Sequence, residues 1–255
     1  WDPMAEAEVQ RVLADVLAVP DASDDALHAT MDRAFEVAQR TGAKTLTVSA
    51  ISRTERLVRL CEDRGGELTQ SLPASRLDMT LPIPTDLQNK ADEAIRSGVE
   101  IVTAVDLDAR GIDWLPKHYE ASQEMLDDLP GPHLRARPSF EAFQAMFEDH
   151  KVYPRDSLFF ALDGAQFVGY SRLTPLDMRA DTAMTGLSGV VRSHRRRGVV
   201  TAIKVETIRR LSARGLRWLI TDNDATNPMY ALNLAFGFQP IFCWLCYDWP
   251  REAFG

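Results

Sequence analysis

Cysteine is scarce in this 255-residue chain: Cys61, Cys243 and Cys246 are all it has. An odd count cannot be fully paired, which argues against a disulfide scaffold and for a reducing compartment. Long apolar stretches are missing too. None approaches the roughly 20 residues that a bilayer-spanning helix needs, and no secretory signal is visible in a chain that starts at Trp1 rather than Met. The expected location is the cytoplasm, with no membrane partner. Basic charge is in the minority, 29 Lys plus Arg against 37 Asp plus Glu, and the net charge of -8 argues against a general grip on DNA or RNA. The spacing Cys243-Trp244-Leu245-Cys246 is that of a metal knuckle. The run IFCWLCYDW nevertheless reads as a strand, where residues three apart face opposite ways, and no second Cys or His pair stands near to complete a zinc site. No metal is expected.

What is present is 45% hydrophobic residues, enough for one large domain or two smaller ones. Ser157 to Ala161 and Gln166 to Leu173 read as strands flanking the turn Asp163-Gly164, and Thr182 to Val191 as a third. Gly198 to Arg214 has helical spacing, with Ala202, Val205, Ile208 and Leu211 on one face and Gly215 as the stop. Trp218 to Asn223 reads as a strand, Asn227-Pro228 opens a helix running to Phe236, and Gln239 to Trp249 is a final strand. Upstream, Glu100 to Asp106 alternates as a strand, followed by helices over Trp114 to Asp128 and Ser139 to His150 with the loop LPGPHLRARP between them. The order predicts a mixed α/β layer fold.

The first 80 residues read as a worn copy of the last 60. GAKTLTVSAISRTERLVRLCEDRGGEL, from Gly42, lies over GLRWLITDNDATNPMYALNLAFGFQP, from Gly215, and each is preceded by a helix. Arg11 to Val19 is the candidate first strand, although Val9, Val12, Leu13 and Val16 also fit a helical period. Only 19 residues precede Pro20, so the expected first unit is partial: residues 1–83, then a polar, partly helical connector over 84–99, then a complete unit over 100–255.

The two copies differ in charge at one point. Where the second has RSHRRRG, the first has PDASDD. A strand leading through a short loop into a helix N-terminus is suited to anions, because the first helical turn carries unpaired N–H groups and the positive end of the dipole. Arg195, Arg196 and Arg197 add charge-assisted hydrogen bonds, and Gly198 allows close backbone approach, which best suits a pyrophosphate. The competing reading is a solvated basic patch.

The segment Arg195 to Val200 resembles the pyrophosphate loop of the GNAT superfamily of acyl-CoA-dependent N-acyltransferases, with Val200 in place of the usual small residue. Thr221 to Pro240 is similar to a T-x-N…N-x-x-M…N-x-x-x-GF block of the tandem-domain branch, to which mycothiol synthase belongs. The resemblance covers residues 100 to 255. It implies a mostly antiparallel sheet with helices on both faces, a tandem arrangement with a degenerate N-terminal half, and acetyl-CoA as cosubstrate. The implied chemistry is direct attack of a small-molecule amine through a tetrahedral intermediate.

The roles it implies are as follows. Gly189, Val190 and Val191, with Ser188, hold the pantetheine arm, and an N–H near Val190 stabilises the oxyanion. Residues Arg195, Arg196, Arg197, Gly198, Val199, Val200 and Thr201 hold the phosphates, with Asn227 and Asn233 as further cofactor contacts. The family's usual tyrosine acid falls at Asn233, which leaves Tyr230, one turn earlier, as substitute or as a packing residue. Ser188 can only relay a proton, and no strand carboxylate is present, so Asp222, Asp224, Glu120 and His118 stay open as base. Trp114, His118 and Tyr119 are candidates for the acceptor pocket or for helix packing. Acidic balance suits a cationic amine. Monomer and homodimer are both open, as are a longer acyl donor and a non-catalytic acyl-CoA sensor or scaffold.

Overall fold

The computed structural model describes residues 11–16, 22–128, 137–148, 153–175 and 180–254. The chain forms two compact units, each discontinuous in sequence. The first holds Trp1–Ala74, Asp222–Tyr230 and Pro240–Gly255, the second Ser75–Thr221 and Ala231–Gln239.

In the first unit, β1 (Arg11–Val16) pairs in parallel with β2 (Thr45–Ile51), and β2 pairs antiparallel with β9 (Gln239–Pro250), Leu46 opposite Trp249. Between β1 and β2 runs α1 (Asp24–Thr41). Its start is secured by Ser23, whose side chain accepts from the Ala26 N–H at 3.2 Å, and by Asp24 and Asp25 against the helix dipole. Its end is Gly42 at φ 68, which releases the chain into β2. Leu27, Met31, Ala34 and Ala38 recur at helical spacing and share one core with Leu46 and Trp249. The helix α2 (Glu55–Asp63) adds Leu57, Leu60 and Cys61 to that core, and β3 (Glu67–Asp78) follows, crossing to the second unit after Ala74.

The second unit begins with α3 (Thr85–Arg96), whose Leu87, Ala91 and Ala94 are buried; this is the segment expected as a connector. The strand expected over Glu100 to Asp106 is shorter. After β4 (Val99–Thr103), Thr103 and Asp106 form a reciprocal capping box that starts α4 (Ala104–Ala109), so the T-x-x-D spacing overrides the alternating pattern. Next come α5 (Leu115–Leu126), α6 (Phe140–Glu148), β5 (Leu158–Asp163), β6 (Gln166–Pro175) and β7 (Thr182–Val190). The chain continues through α7 (Val199–Ala213), β8 (Trp218–Asp222) and α8 (Pro228–Ala235). Strands β4 to β7 pair antiparallel in sequence order, and β7 pairs in parallel with β8.

Helices cover both faces of this sheet. A Cβ on Gly189 would lie 2.9 Å from Sδ of Met125 on α5, whereas one on Gly169 would lie 3.1 Å from Ile203 on α7. The expected elements from Ser157 onward are present, including the Asp163-Gly164 turn with Gly164 at φ 59. Parts of the expected strand Arg11 to Val19, the PDASDD segment, the LPGPHLRARP loop and the helix to His150 lie outside the described residues. Among the described residues no helix is long and apolar enough to cross a membrane.

Candidate functional site

The sheet of the second unit opens at β7. Its parallel pairing with β8 covers only Thr182 to Met184, opposite Trp218 to Ile220, and β7 then runs on to Val190. On its other edge β7 stays paired with β6, with a break in register between the pairs Ser171–Ser188 and Leu173–Thr185. The Val191 N–H donates to the Val168 carbonyl at 2.9 Å. Since successive strand amides point to opposite edges, the Val190 N–H faces the edge that β8 no longer covers.

Beyond β7, a short turn leads to α7. Arg196 holds φ 61, the one non-glycine residue at positive φ among the described residues, at a cost of about 1 kcal/mol. Gly198 follows at φ 78 as N-cap of α7. A Cβ there would also sit 2.8 Å from the Lys90 carbonyl oxygen of α3, so glycine is needed for close helix approach as well as for the turn. No side chain caps α7 and no acidic residue stands in its first turn, which leaves its N–H groups and dipole available to an anion.

The arginines divide into two kinds. Arg195 donates through Nε to the Val190 carbonyl at 3.1 Å and pairs with Asp128. Arg192 pairs with the same carboxylate at 2.9 Å, and its backbone N–H donates to Glu124. These two guanidinium groups hold the Asp128 carboxyl below the usual carboxylate range. Arg196 and Arg197 make no ion pair or hydrogen bond among the described residues. Asp128 lies 67 residues from Arg195, and the sequence reading passed over it.

Ser188, Gly189, Val190, Val191, Arg195, Arg196, Arg197, Gly198, Val199 and Val200 are thus brought together along one strand, turn and helix start. Thr201, expected as a phosphate contact, is 1% exposed on the first turn of α7. Asn227 and Tyr230 group with the first unit. Asn227 caps α8 by accepting from the Met229 N–H at 2.9 Å, as expected, and Tyr230 is half-buried on the first turn. Asn233 is 1% exposed, and its backbone carbonyl accepts from the Phe238 N–H at 3.1 Å.

The acceptor and base candidates change most. His118 is 1% exposed, in a cage of Trp114, Phe143, Phe147, Phe160 and Tyr170, and neither ring nitrogen has a partner among the described residues. Burial first, and the charge of Arg172 second, push its pKa down to about 3, which favours the neutral ring. Trp114 is also buried, donating to Asp108 at 3.0 Å, though it edges a surface hollow of about 310 Å³ with Asp113, Gln144 and Arg155. Tyr119 donates to the Pro138 carbonyl at 3.0 Å and stacks on Phe140 and Phe143, so its hydroxyl is engaged. Glu120 is exposed. Asp224 is tied into a turn by Thr226 and held low by that contact, whereas burial raises Asp222, with Asp15 adding to the effect.

No family model matches the sequence, and no curated protein matches it. Solved structures do. The fold is that of the GCN5-related N-acetyltransferases. A GCN5-related N-acetyltransferase from Sphaerobacter thermophilus superposes with a TM-score of 0.70 at 17% identity, over 96% of this chain and 74% of that one. A tandem GNAT protein from the clavulanic acid biosynthesis pathway gives 0.66 at 18% identity, over 95% and 75%. A fungal GCN5-related glucosamine N-acetyltransferase region gives 0.66 at 12% identity, over 93% of this chain and 29% of that one.

Proposed function

We propose that the protein is an acyl-CoA-dependent N-acetyltransferase acting on the amine of a small molecule, with the second unit carrying the donor site. The observation that carries this reading is the junction of an uncapped, arginine-flanked α7 with the free edge of β7. The chemistry of these groups fits acetyl-CoA. Arg196, Arg197 and the α7 N–H groups suit a pyrophosphate, the Ser188 to Val191 edge suits an amide-bearing arm, and the Val190 N–H suits a developing oxyanion. Bound there, acetyl-CoA supplies an activated acyl group for direct transfer.

Tyr230 remains the proposed proton donor to the leaving sulfur, with Asn233 in the position where the family's acid usually stands. The tandem organisation, with 1–83 as a degenerate half, and a cytoplasmic setting belong to the same proposal. A non-catalytic acyl-CoA sensor is the second reading, favoured by the asparagine at 233 and its burial.

Isothermal titration with acetyl-CoA tests the site. Arg197→Ala should weaken binding about tenfold, the loss of one charge-assisted contact. Asp128→Asn, which frees Arg192 and Arg195, should tighten it a few-fold. No heat with the parent protein would leave the arginines as a surface patch. Binding without CoA release from any amine would favour the sensor.

A further inference from the structure

Lys204 sits on α7 facing the sheet and is 6% exposed, with no carboxylate or hydrogen-bond acceptor paired to it among the described residues. Its ammonium nitrogen lies over the rings of Phe238, 5.2 Å from the centroid, and Phe236, at 6.0 Å. A buried, unpaired ammonium is costly, and such groups serve when they exchange protons. Lys204 also borders a cavity of about 10 Å³, room for a single water. The rest of its wall comprises Ser171, Thr185, Ser188, Val200, Ile203, Thr207 and Leu219. Buried hydroxyls of Thr185 and Thr207 have no partner among the described residues, so a water there has hydrogen-bonding groups around it.

The wall contains a connected pair. Ser171 Oγ and Ser188 Oγ are 2.7 Å apart, Ser171 buried and Ser188 half-buried on the stretch of β7 past the last β8 pair. The serine pair and Lys204 therefore border the same cavity. Apart from Lys204, none of the wall residues from β6, β7, β8 or α7 is ionisable at neutral pH. Tyr170 and Arg172 of β6 project from the opposite face, Tyr170 against His118 and Arg172 over Tyr153.

We propose that Lys204 is the terminal proton acceptor of a relay in which Ser188, Ser171 and a water in this cavity carry the proton released by the attacking amine. The proposal rests on the acyltransferase reading and deepens it, because that reading leaves the base unassigned. As the amine nitrogen bonds to the acyl carbon, its proton passes to Ser188 Oγ, that of Ser188 to Ser171, and that of Ser171 through the water to the neutral Lys204 amine. The carbon–sulfur bond then breaks with its electron pair going to sulfur. Tyr230 protonates the thiolate and is reprotonated from solvent, while the proton on Lys204 returns by the same hydroxyls to solvent, so atoms and charge balance. Burial pushes the Lys204 pKa down to about 8, which leaves a neutral fraction near physiological pH. Lys204 touches no substrate and acts through the serines.

The test is the pH dependence of CoA release from acetyl-CoA, with a polyamine, an amino sugar and a free amino acid as acceptors. It compares the parent with Lys204→Met, Lys204→Arg and Ser171→Ala. The parent should show kcat/KM rising toward a plateau with a midpoint near the Lys204 pKa. Lys204→Met should lose at least tenfold together with that limb, Ser171→Ala should do the same with Lys204 in place, and Lys204→Arg should not rescue either. An active parent whose variants keep its rate and limb would overturn the relay and leave the enzyme reading standing. A parent that binds acetyl-CoA yet releases no CoA with any amine would overturn both. Acetyl-CoA binding unchanged in Ser171→Ala separates loss of the relay from misfolding.

Discussion

Two stretches of this chain follow the same path and end in opposite chemistry. From β1 through α1, β2 and α2 to β3, and from β7 through α7, β8 and α8 to β9, each runs strand, helix, strand, helix, strand. In each the first two strands pair in parallel, and the first helix gives way to a glycine at positive φ, Gly42 at 68 and Gly215 at 86. They part company where the helix begins. At α1 a serine side chain and two aspartates occupy the N-terminus, whereas α7 has glycine, no side-chain cap and three arginines before it. The same order of elements thus carries opposite charge at its two helix starts through a handful of residues. The interiors differ too. The core built on Met31, Leu46, Leu57 and Trp249 is apolar, whereas the second unit buries His118 and Lys204.

The largest expected effect tests whether the glycine at the start of α7 is there for space as well as for its dihedral. Gly198→Ala should cost about 3 kcal/mol, from left-handed strain plus the encounter with the Lys90 carbonyl. Gly42→Ala, with open space around it, should cost about 1 kcal/mol. Equal shifts in urea midpoint would show that α3 does not crowd the loop.

Next comes acid sensitivity, expected of the second unit through His118. Its folded pKa is depressed, so its contribution is full above the unfolded pKa of about 6.5 and is lost as pH falls toward about 3. Between pH 6.5 and 5 the parent should lose about 2 kcal/mol that His118→Leu does not. Matching pH profiles for the two would place the acid sensitivity elsewhere. The smallest effect belongs to α1: Ser23→Ala should cost about 1 kcal/mol and Ser23→Gly a few tenths, read from thermal melts.

The sequence made the local features readable. The Asp163-Gly164 hairpin, the helix ends at Gly42 and Gly215, and the basic turn before α7 each depend on a few adjacent residues. Contacts across long separations were hidden. The carboxylate that holds Arg195 is 67 residues away, and the serine pair joins positions 17 apart whose hydroxyls look like ordinary strand residues. His118 misled by its chemistry: it lies at helical spacing with Trp114, Ser122 and Met125, all buried, so its position pointed to the core while its imidazole suggested a site. Lys204 drew no reading at all, since a charged residue within a helix looks like part of a solvated face, yet α7 buries it.

The return of β9 to the first unit bears on how the protein is made. β2 gains its antiparallel neighbour, and the first core its Tyr247, Trp249 and Phe254, from residues 240–255. At roughly 5–20 residues per second of synthesis, the interval from Ala74 to Pro240 is on the order of ten to thirty seconds. Throughout that time the N-terminal portion emerges from the ribosome with one strand edge unpaired and part of its interior missing. A chain ending before β9 lacks the antiparallel neighbour of β2 and the Tyr247, Trp249 and Phe254 side chains of the first core.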